Sequence, residues 1–552
     1  MGNRRSTSET SIKLRFTLAM MLIIFITVLF STVMALAAQQ VVIDGTITLI
    51  YEPPPTLIDG ETFKTHIPEN CTKIIFDCAT EDYDNIMDSA TSITKVDSKG
   101  WGVEKTGGIS AFYLDSTLYV LSTQEIFANE SCRLMFQNKS NLTEIQFKNF
   151  NTERVKKMGG MFYYCSGLSS LDLSGFDTSN VTEMSYTYLN SNYVRVLYGM
   201  FHGCSSLTDL NISNFNTSQV KDMQGMFSGC SSLTSLNVSN FNTSQVTNMT
   251  SMFSNCASLS SLNVSNFNTS QVTEMADMFF GCSGLTSLNL SNFKTSRVYR
   301  MYGMFSGCSN LSNLNISSFN TGSVGGMYDM FRKCSSLTSL NVSNFDTSAV
   351  VNMDYMFASC SKLKTLDVSN FNTKNLTELS GVFAWCSSLE NIKFKKDDGT
   401  CTFTTKNVTW MSGVFENCIS LTSLDLSFFD TSNVKSMQFM FYGCNNLTSL
   451  NVSSFNTSNV KSFQNTFREC SALKELDISN FNTSSATNMY CMFYNCNNIK
   501  SIYVGSGWDT TNVSNSKSMF FQCNNLKGAI EFDSNYLDKT YANTSGYLTL
   551  KT

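Results

Sequence analysis

An α/β solenoid, with one short strand and one short helix in each turn, is the fold this sequence predicts. Three observations predict it. First, a block of 26 residues recurs at one fixed length along most of the chain. Residues 252–277, MFSNCASLSSLNVSNFNTSQVTEMAD, are one copy; cysteines in step with Cys256 stand at 204, 230, 282, 308, 334, 360 and 386, and the series resumes at 418, 444, 470 and 496. A period of this size is the signature of stacked supersecondary units, none of which can bury its apolar face alone. Second, each copy holds a period-2 apolar pattern followed by one at helical spacing. Third, all four prolines lie at or before Pro68. Proline removes a ladder hydrogen bond, so the chain beyond it reads as continuously paired.

At the N-terminus, Arg4, Arg5, Lys13 and Arg15 precede an apolar run from Phe16 to Ala38, and Ala35-Leu36-Ala37 has the small-x-small form cut by signal peptidase. Residues 1–37 are expected to be a signal peptide. The alternative is an uncleaved anchor, because the run is long enough to span roughly 30 Å of hydrocarbon. Either outcome exports the repeats and confines membrane contact to this segment.

Residues 38–134 read as a β-rich region that also caps the repeats. Strand-like runs are 39–51, Lys73–Phe76, Ser110–Leu114 and Thr117–Leu121, with Asp115-Ser116 as a hairpin turn. The stiff Pro53-Pro54-Pro55 separates the first of them from the rest. A cap is required because an end repeat would otherwise expose its core face.

The solenoid is expected over 135–527, in about 15 repeats. Its first copy has Lys139 at the cysteine position. In the copy at 252–277, Leu259, Leu262 and Val264 predict a short strand with its apolar side inward. Thr269-Ser270 stands where a helix cap is expected. Val272, Met275, Met278 and Phe279 fall on one helical face, and Gly281 fits the helix end. Thirteen extra residues lie between Cys165 and Cys204, around Ser185–Tyr198, and six between Cys386 and Cys418, around 393–407. Both insertions must leave as loops, since neighbouring turns stay stacked. Residues 528–552 lose the period and are expected to close the C-terminal end.

The consensus L-x-x-L-[ND]-[VIL]-S-x-F-[ND]-T-S-x-V-x-x-M-x-x-M-F-x-x-C closely resembles the BspA-like leucine-rich-repeat surface proteins of bacteria, above all the branch described as Mycoplasma-type lipoprotein repeats. The likeness covers about 135–527. It implies a leucine-rich-repeat solenoid with a parallel sheet on its concave face, placed at a cell surface or secreted, and in some members adhesion to host matrix proteins or other cells. The chain departs from the family in anchoring: no cysteine ends the signal for lipid attachment, and no sorting motif precedes a C-terminal apolar tail.

The chemistry available is restricted. Charged residues make up 15% and the net charge is −5, so there is no broad basic field to attract nucleic acid. Two histidines in 552 residues, His66 and His202, argue against imidazole catalysis and His-rich metal sites. No catalytic residue, cofactor or metal is expected. The cysteine ladder reads as small buried hydrophobes. Off the ladder, Cys71 and Cys78 lie seven apart in an exported region and are candidates for a disulfide.

The candidate partner-binding residues fall in three groups. Asn237, Asn263 and Asn289 alternate with the inward strand residues and would present a flat, uncharged face to a peptide or glycan; the alternative is a plain solvated ladder. The first insertion carries Tyr186, Tyr188 and Tyr193 beside Arg195, residue types typical of interface anchors. The second carries Lys393, Lys395 and Lys396, with Trp410 nearby. Harmless loops are the alternative for both. The function expected is that of an exported surface protein binding a protein or glycan on a host or neighbouring cell. Its rivals are a structural coat protein without a specific ligand and an enzyme sited in 39–134, where Asp59, Glu61, Glu81, Asp82 and Asp84 are available.

Overall fold

A computed structural model describes residues 38–43, 46–51, 55–80, 83, 94–95, 108–189 and 195–551. The segment 1–37, with its expected signal peptide or anchor, lies outside the described residues. Among them, no helix is long and apolar enough to cross a membrane.

The run at 39–51 is two strands, β1 (Ala38–Ile43) and β2 (Thr46–Tyr51), paired antiparallel. Beyond it, α1 (Gly60–His66) is capped by Asp59, whose carboxylate accepts from the Thr62 amide at 3.0 Å. Then come β3 (Lys73–Cys78), β4 (Thr94–Lys95), β5 (Ile109–Leu114), β6 (Thr117–Ser122), β7 (Ile126–Phe127), β8 (Glu144–Phe147) and β9 (Phe150–Asn151). Asp115 and Ser116 both take positive φ, 47° and 62°, the geometry that a two-residue hairpin between β5 and β6 requires. The five-stranded sheet runs β4-β5-β6-β3-β8. Since β8 belongs to the first repeat, the N-terminal region is continuous with the repeat stack.

Later strands are three or four residues long: β10 (Ser170–Asp172), β13 (Asp209–Asn211), β14 (Ser287–Asn289), β15 (Asn313–Asn315), β16 (Thr365–Asp367), β17 (Asn391–Lys393), β18 (Ser423–Asp425), β19 (Ser449–Asn451), β20 (Glu475–Ile478) and β21 (Ser501–Val504). β10–β13, β14–β15, β16–β17, β18–β19 and β20–β21 pair in parallel. The first insertion supplies β11 (Ser185–Leu189) and β12 (Arg195–Gly199). In the copy at 252–277 the expected strand is not formed, although Leu259, Leu262 and Val264 are buried there. A second parallel ladder makes one bridge per repeat, from Asp222 through Asn248, Glu274, Arg300, Gly326, Asn352, Glu378, Trp410, Ser436, Ser462 and Asn488 to Asn515.

The helix expected in each turn is absent; a chain of tandem β-turns stands in its place. Met249, Ser251, Phe253 and Asn255 donate to carbonyls of the next repeat, at Glu274, Ala276, Met278 and Phe280. The alternate residues Met252, Ser254 and Cys256 donate three residues back, to Met249, Ser251 and Phe253. An α-helix would send every one of these amides four residues back. Ser251 and Asn255 have φ of 55° and 57°, which a right-handed helix cannot contain. Thr269 therefore caps no helix. Its hydroxyl donates to the Lys294 carbonyl at 3.1 Å and accepts from the Lys294 amide at 2.7 Å, tying one repeat to the next.

The core is built in columns. The phenylalanines at 136, 162, 201, 227, 253, 279, 305, 331, 357, 383, 415, 441, 467, 493 and 520 stack with centroids 5.3–6.0 Å apart and planes within 18°. Edge-on rings end the column: Phe63 of α1 at one end, Tyr547 at the other. Neither insertion interrupts it; Phe162–Phe201 and Phe383–Phe415 stack at 5.6 and 5.7 Å. The ladder cysteines are buried free thiols, each donating to a phenylalanine carbonyl of the preceding repeat, as Cys256 does to Phe227 at 3.2 Å. Lys139 fills the cysteine position of the first repeat and donates to the Ile67 carbonyl at 2.7 Å. At the other end β22 (Thr549–Leu550) pairs with β21, and Trp508 donates to the Ala542 carbonyl.

The disulfide expectation is corrected. Cys71 is buried before β3 and Cys78 is exposed at the far end of it, both as free thiols. One extended strand, rising about 3.3 Å per residue, separates them well beyond the roughly 7 Å limit for a bridge.

Candidate functional site

The first insertion forms an antiparallel hairpin, β11 against β12, in which Tyr186 faces Tyr198 and Tyr188 faces Val196. Alternation along the strands puts these on one face and Thr187 on the other. The tyrosine face turns back onto the preceding repeat. Tyr186 stacks on Tyr198 at 4.9 Å, and Tyr198 meets Tyr163 at 4.8 Å. A Cβ at Gly159 would stand 2.7 Å from the Tyr186 ring, so only glycine admits this approach. The opposite face meets the following repeat, where Gln224 donates to the Thr187 hydroxyl.

Arg133 locks the assembly. Its guanidinium lies 4.6 Å from the Tyr186 centroid and makes a two-pronged ion pair with Glu183. Glu183 in turn holds the guanidinium above its usual range. His202 stacks on Tyr163 at 5.0 Å and touches Tyr164. Burial lowers its pKa to about 4, so the imidazole is neutral at pH 7, and its Nδ1 has no partner. Burial also pushes the hydroxyls of Tyr163 and Tyr186 up to about 12. Tyr188 is 55% exposed.

Of the tyrosines singled out in sequence, Tyr188 is exposed, whereas Tyr186 is half-buried against Tyr198 and Arg133. Tyr193 lies outside the described residues. Arg195 is described in its backbone alone, opposite Leu189. Arg133, Tyr163, Tyr164, Glu183 and His202 were missed. A signal for three of them exists: Tyr163-Tyr164 and His202 stand where other copies have Ser228-Gly229, Ser254-Asn255 or Ser306-Gly307.

The second insertion opens a cleft of about 340 Å³ between β17 and β18, lined by Ile392, Phe394, Leu424 and Phe428 with charges at its mouth. Lys393 pairs with Asp397 at 2.7 Å and Asp367 at 3.6 Å. Lys395 reaches Asp425 at 3.6 Å and lies over the Phe428 ring at 5.1 Å. Lys396 is exposed in the turn closed by its amide on the Thr400 carbonyl. Trp410 is not beside these lysines in the cleft; it bridges Glu378 and Ser436 on the other ladder, half exposed.

Asn237, Asn263 and Asn289 are exposed. Each side-chain oxygen accepts from the amide two residues on, at 3.1 Å. That leaves the amide nitrogens outward. A second asparagine column was missed: Asn266 donates to the Val238, Ser239 and Phe241 carbonyls of the repeat before it. No group of three His, Cys, Asp or Glu placed to hold a metal occurs among the described residues. Asp59 is used as a helix cap, while Glu81, Asp82 and Asp84 lie outside the described residues.

The family described as "Mycoplasma protein of unknown function, DUF285" matches residues 123–195, 195–312, 281–395, 312–421, 367–450 and 409–534. These segments run together over three quarters of the chain. The chain belongs to this family. No curated protein matches this DUF285 chain. Among solved structures, it is similar to TLR13 in complex with ssRNA13 at 13% identity and a TM-score of 0.18, over 79% of this chain and 77% of that one. It is also similar to the functional domain of InlJ from Listeria monocytogenes, said to include a cysteine ladder, at 14% identity and a TM-score of 0.19, over 66% of this chain and 69% of that one. The family membership places the β11–β12 hairpin and the β17–β18 cleft inside a DUF285 repeat array rather than in appended domains.

Proposed function

We propose that this chain is an exported, non-enzymatic solenoid of leucine-rich-repeat architecture, allied to the BspA-like surface proteins, that binds a protein or glycan on a host or neighbouring cell. The observation that carries this reading is the β11–β12 hairpin. It is a thirteen-residue departure from the repeat, its strands packed on Arg133 and Tyr163 through Tyr186 and Tyr198, and it presents Tyr188 to solvent. An aromatic side chain on a fixed backbone binds with little ordering cost. Asparagines repeated along the strand ladder add weak contacts that sum through multivalency. Export through residues 1–37 supplies the location.

The test is binding of purified 38–552 to arrays of matrix proteins and glycans, beside a repeat-scrambled control. Tyr188→Ala is expected to weaken the strongest signal at least fivefold with the fold unchanged by circular dichroism. No signal above the scrambled control would favour a structural coat protein.

A further inference from the structure

Of the six arginines whose side chains are described, five lie over an aromatic ring and within ion-pair reach of a carboxylate. Arg133 sits on Tyr186 with Glu183, and Arg154 on Phe127 with Glu153. Arg300 sits on Tyr299 with Glu274, and Arg332 on Tyr355 with Asp329. Arg468 lies 4.4 Å from the Tyr494 ring and 5.4 Å from Tyr442, paired with Glu469 at 3.2 Å. A guanidinium suits such places because it is planar, stacks on rings and donates in two directions at once. Arg297 is the exception, bonded to Gln271.

One site of the same make lacks its arginine. Tyr302 and Tyr328, one repeat apart on the tandem-turn face, stack at 4.6 Å with planes 8° apart, and both are half-buried. The Asp277 carboxylate lies against Gly303, the residue after Tyr302, in the space a side chain there would fill, and its charge reaches the Tyr328 hydroxyl. The neighbouring carboxylates are engaged: Asp329 pairs with Arg332 at 3.1 Å, and Asp354 accepts from the Ser380 amide at 2.6 Å. Although the Asp277 carbonyl accepts from the Phe280 amide at 3.1 Å, the Asp277 carboxylate accepts no hydrogen bond and makes no ion pair among the described residues. Burial, then Asp329, raises its pKa to about 6, and Asp277 is close enough to help raise the Tyr328 hydroxyl. Phe280 and Tyr355, each 39% exposed, lie on the same turn face in adjoining repeats.

We propose that Asp277, Tyr302 and Tyr328 form a receptor for an arginine side chain presented by a basic segment of a partner protein. The carboxylate accepts from the guanidinium while the ring pair carries its plane. Lysine fits less well, because a compact ammonium neither stacks nor forms the two-pronged pair. The site is far along the sequence from the β11–β12 hairpin and does not depend on the reading given to it.

Fluorescence anisotropy at low salt tests this with a labelled, blocked tri-arginine peptide and its tri-lysine counterpart. The arginine peptide is expected to bind at least fivefold more tightly. Asp277→Asn should weaken it at least tenfold. Tyr328→Phe, which keeps the ring, should change it less than threefold. Asp209→Asn, which removes the same charge from the exposed start of β13, should change it less than twofold. Equal losses for Asp277→Asn and Asp209→Asn, or equal binding of the two peptides by the unsubstituted chain, would overturn the proposal. The peptide comparison needs no variant to fold. Tyr188→Ala should leave arginine binding untouched, so failure of the hairpin reading and failure of this one are told apart.

Discussion

Removing residues 252–277 whole should do less harm than removing one ring from the repeat that follows. The deletion joins Ser251 to Met278 and brings each column back into register. Phe279 then meets Phe227 in place of Phe253, Thr243 meets the Lys294 carbonyl in place of Thr269, and the Asn248 bridge passes to Arg300. No buried group loses its kind of partner. Phe279→Ala is the contrasting change. Phe279 is fully buried between Phe253 at 5.7 Å and Phe305 at 5.9 Å. Truncating such a ring costs about 3–5 kcal/mol in transfer and cavity energy. The two broken stacks bring a further share of about 0.5–1.5 kcal/mol each. Guanidinium denaturation followed by far-ultraviolet circular dichroism is the assay. The deletion should keep a cooperative transition, with its denaturant slope smaller by roughly one part in fifteen, because that slope follows the surface exposed. Phe279→Ala should lower the midpoint markedly at an unchanged slope. A deletion variant that is unfolded, or less stable than Phe279→Ala, would refute nearest-neighbour stacking.

Three further outcomes follow from single groups. Thr269→Val should cost about 1–3 kcal/mol, since the Lys294 amide and carbonyl lose their hydroxyl inside the stack, while Thr269→Ser should cost less; chemical denaturation of both variants checks this. Leu262→Asp should destabilise strongly by burying an unpaired charge, whereas Asn263→Ala next to it should be near neutral, read by melting temperature. Asp277 has its folded pKa raised to about 6, so its protonated form is favoured by folding; the stabilisation is full below the unfolded pKa near 4 and is lost as pH rises through 6. Asp277→Asn should therefore be more stable than the unsubstituted chain at pH 7.5, by about 1 kcal/mol after solvent screening, and indistinguishable from it at pH 4. A difference that does not change between the two pH values would contradict this.

Much of the architecture is legible in the residues themselves. The fixed period, β3, the β5–β6 hairpin with its turn at Asp115-Ser116, and the exit of both insertions without loss of stacking all follow from pattern. The helix does not. Apolar residues at Val272, Met275, Met278 and Phe279 suit a helical face, yet they suit tandem turns equally, since both bring every third or fourth side chain inward. The discriminating residues lie between them. Columns holding Gly225, Ser251, Asp277 and Gly303, and Gly203, Gly229, Asn255 and Gly281, are rich in types that tolerate positive φ, and all of these adopt it. Once those columns are set, bulkier residues such as Tyr355 and Trp385 are held in the same strained region by their neighbours. Of the hairpin site, the surplus of tyrosine is legible, but its lock is not. Arg133 and Glu183 are fifty positions apart, and only stacking brings them together.

The central claim is that each turn hides its side chains only by leaning on the turns beside it. Thiol labelling read by mass spectrometry tests it most directly, because the ladder cysteines report on the interior from Cys165 to Cys523. In the native state Cys78 should react quickly, and the ladder thiols, buried and with their pKa values raised by that burial, should not react until the stack unfolds. Rapid native labelling of thiols in the middle of the ladder, at Cys256, Cys282 or Cys308, would contradict the account.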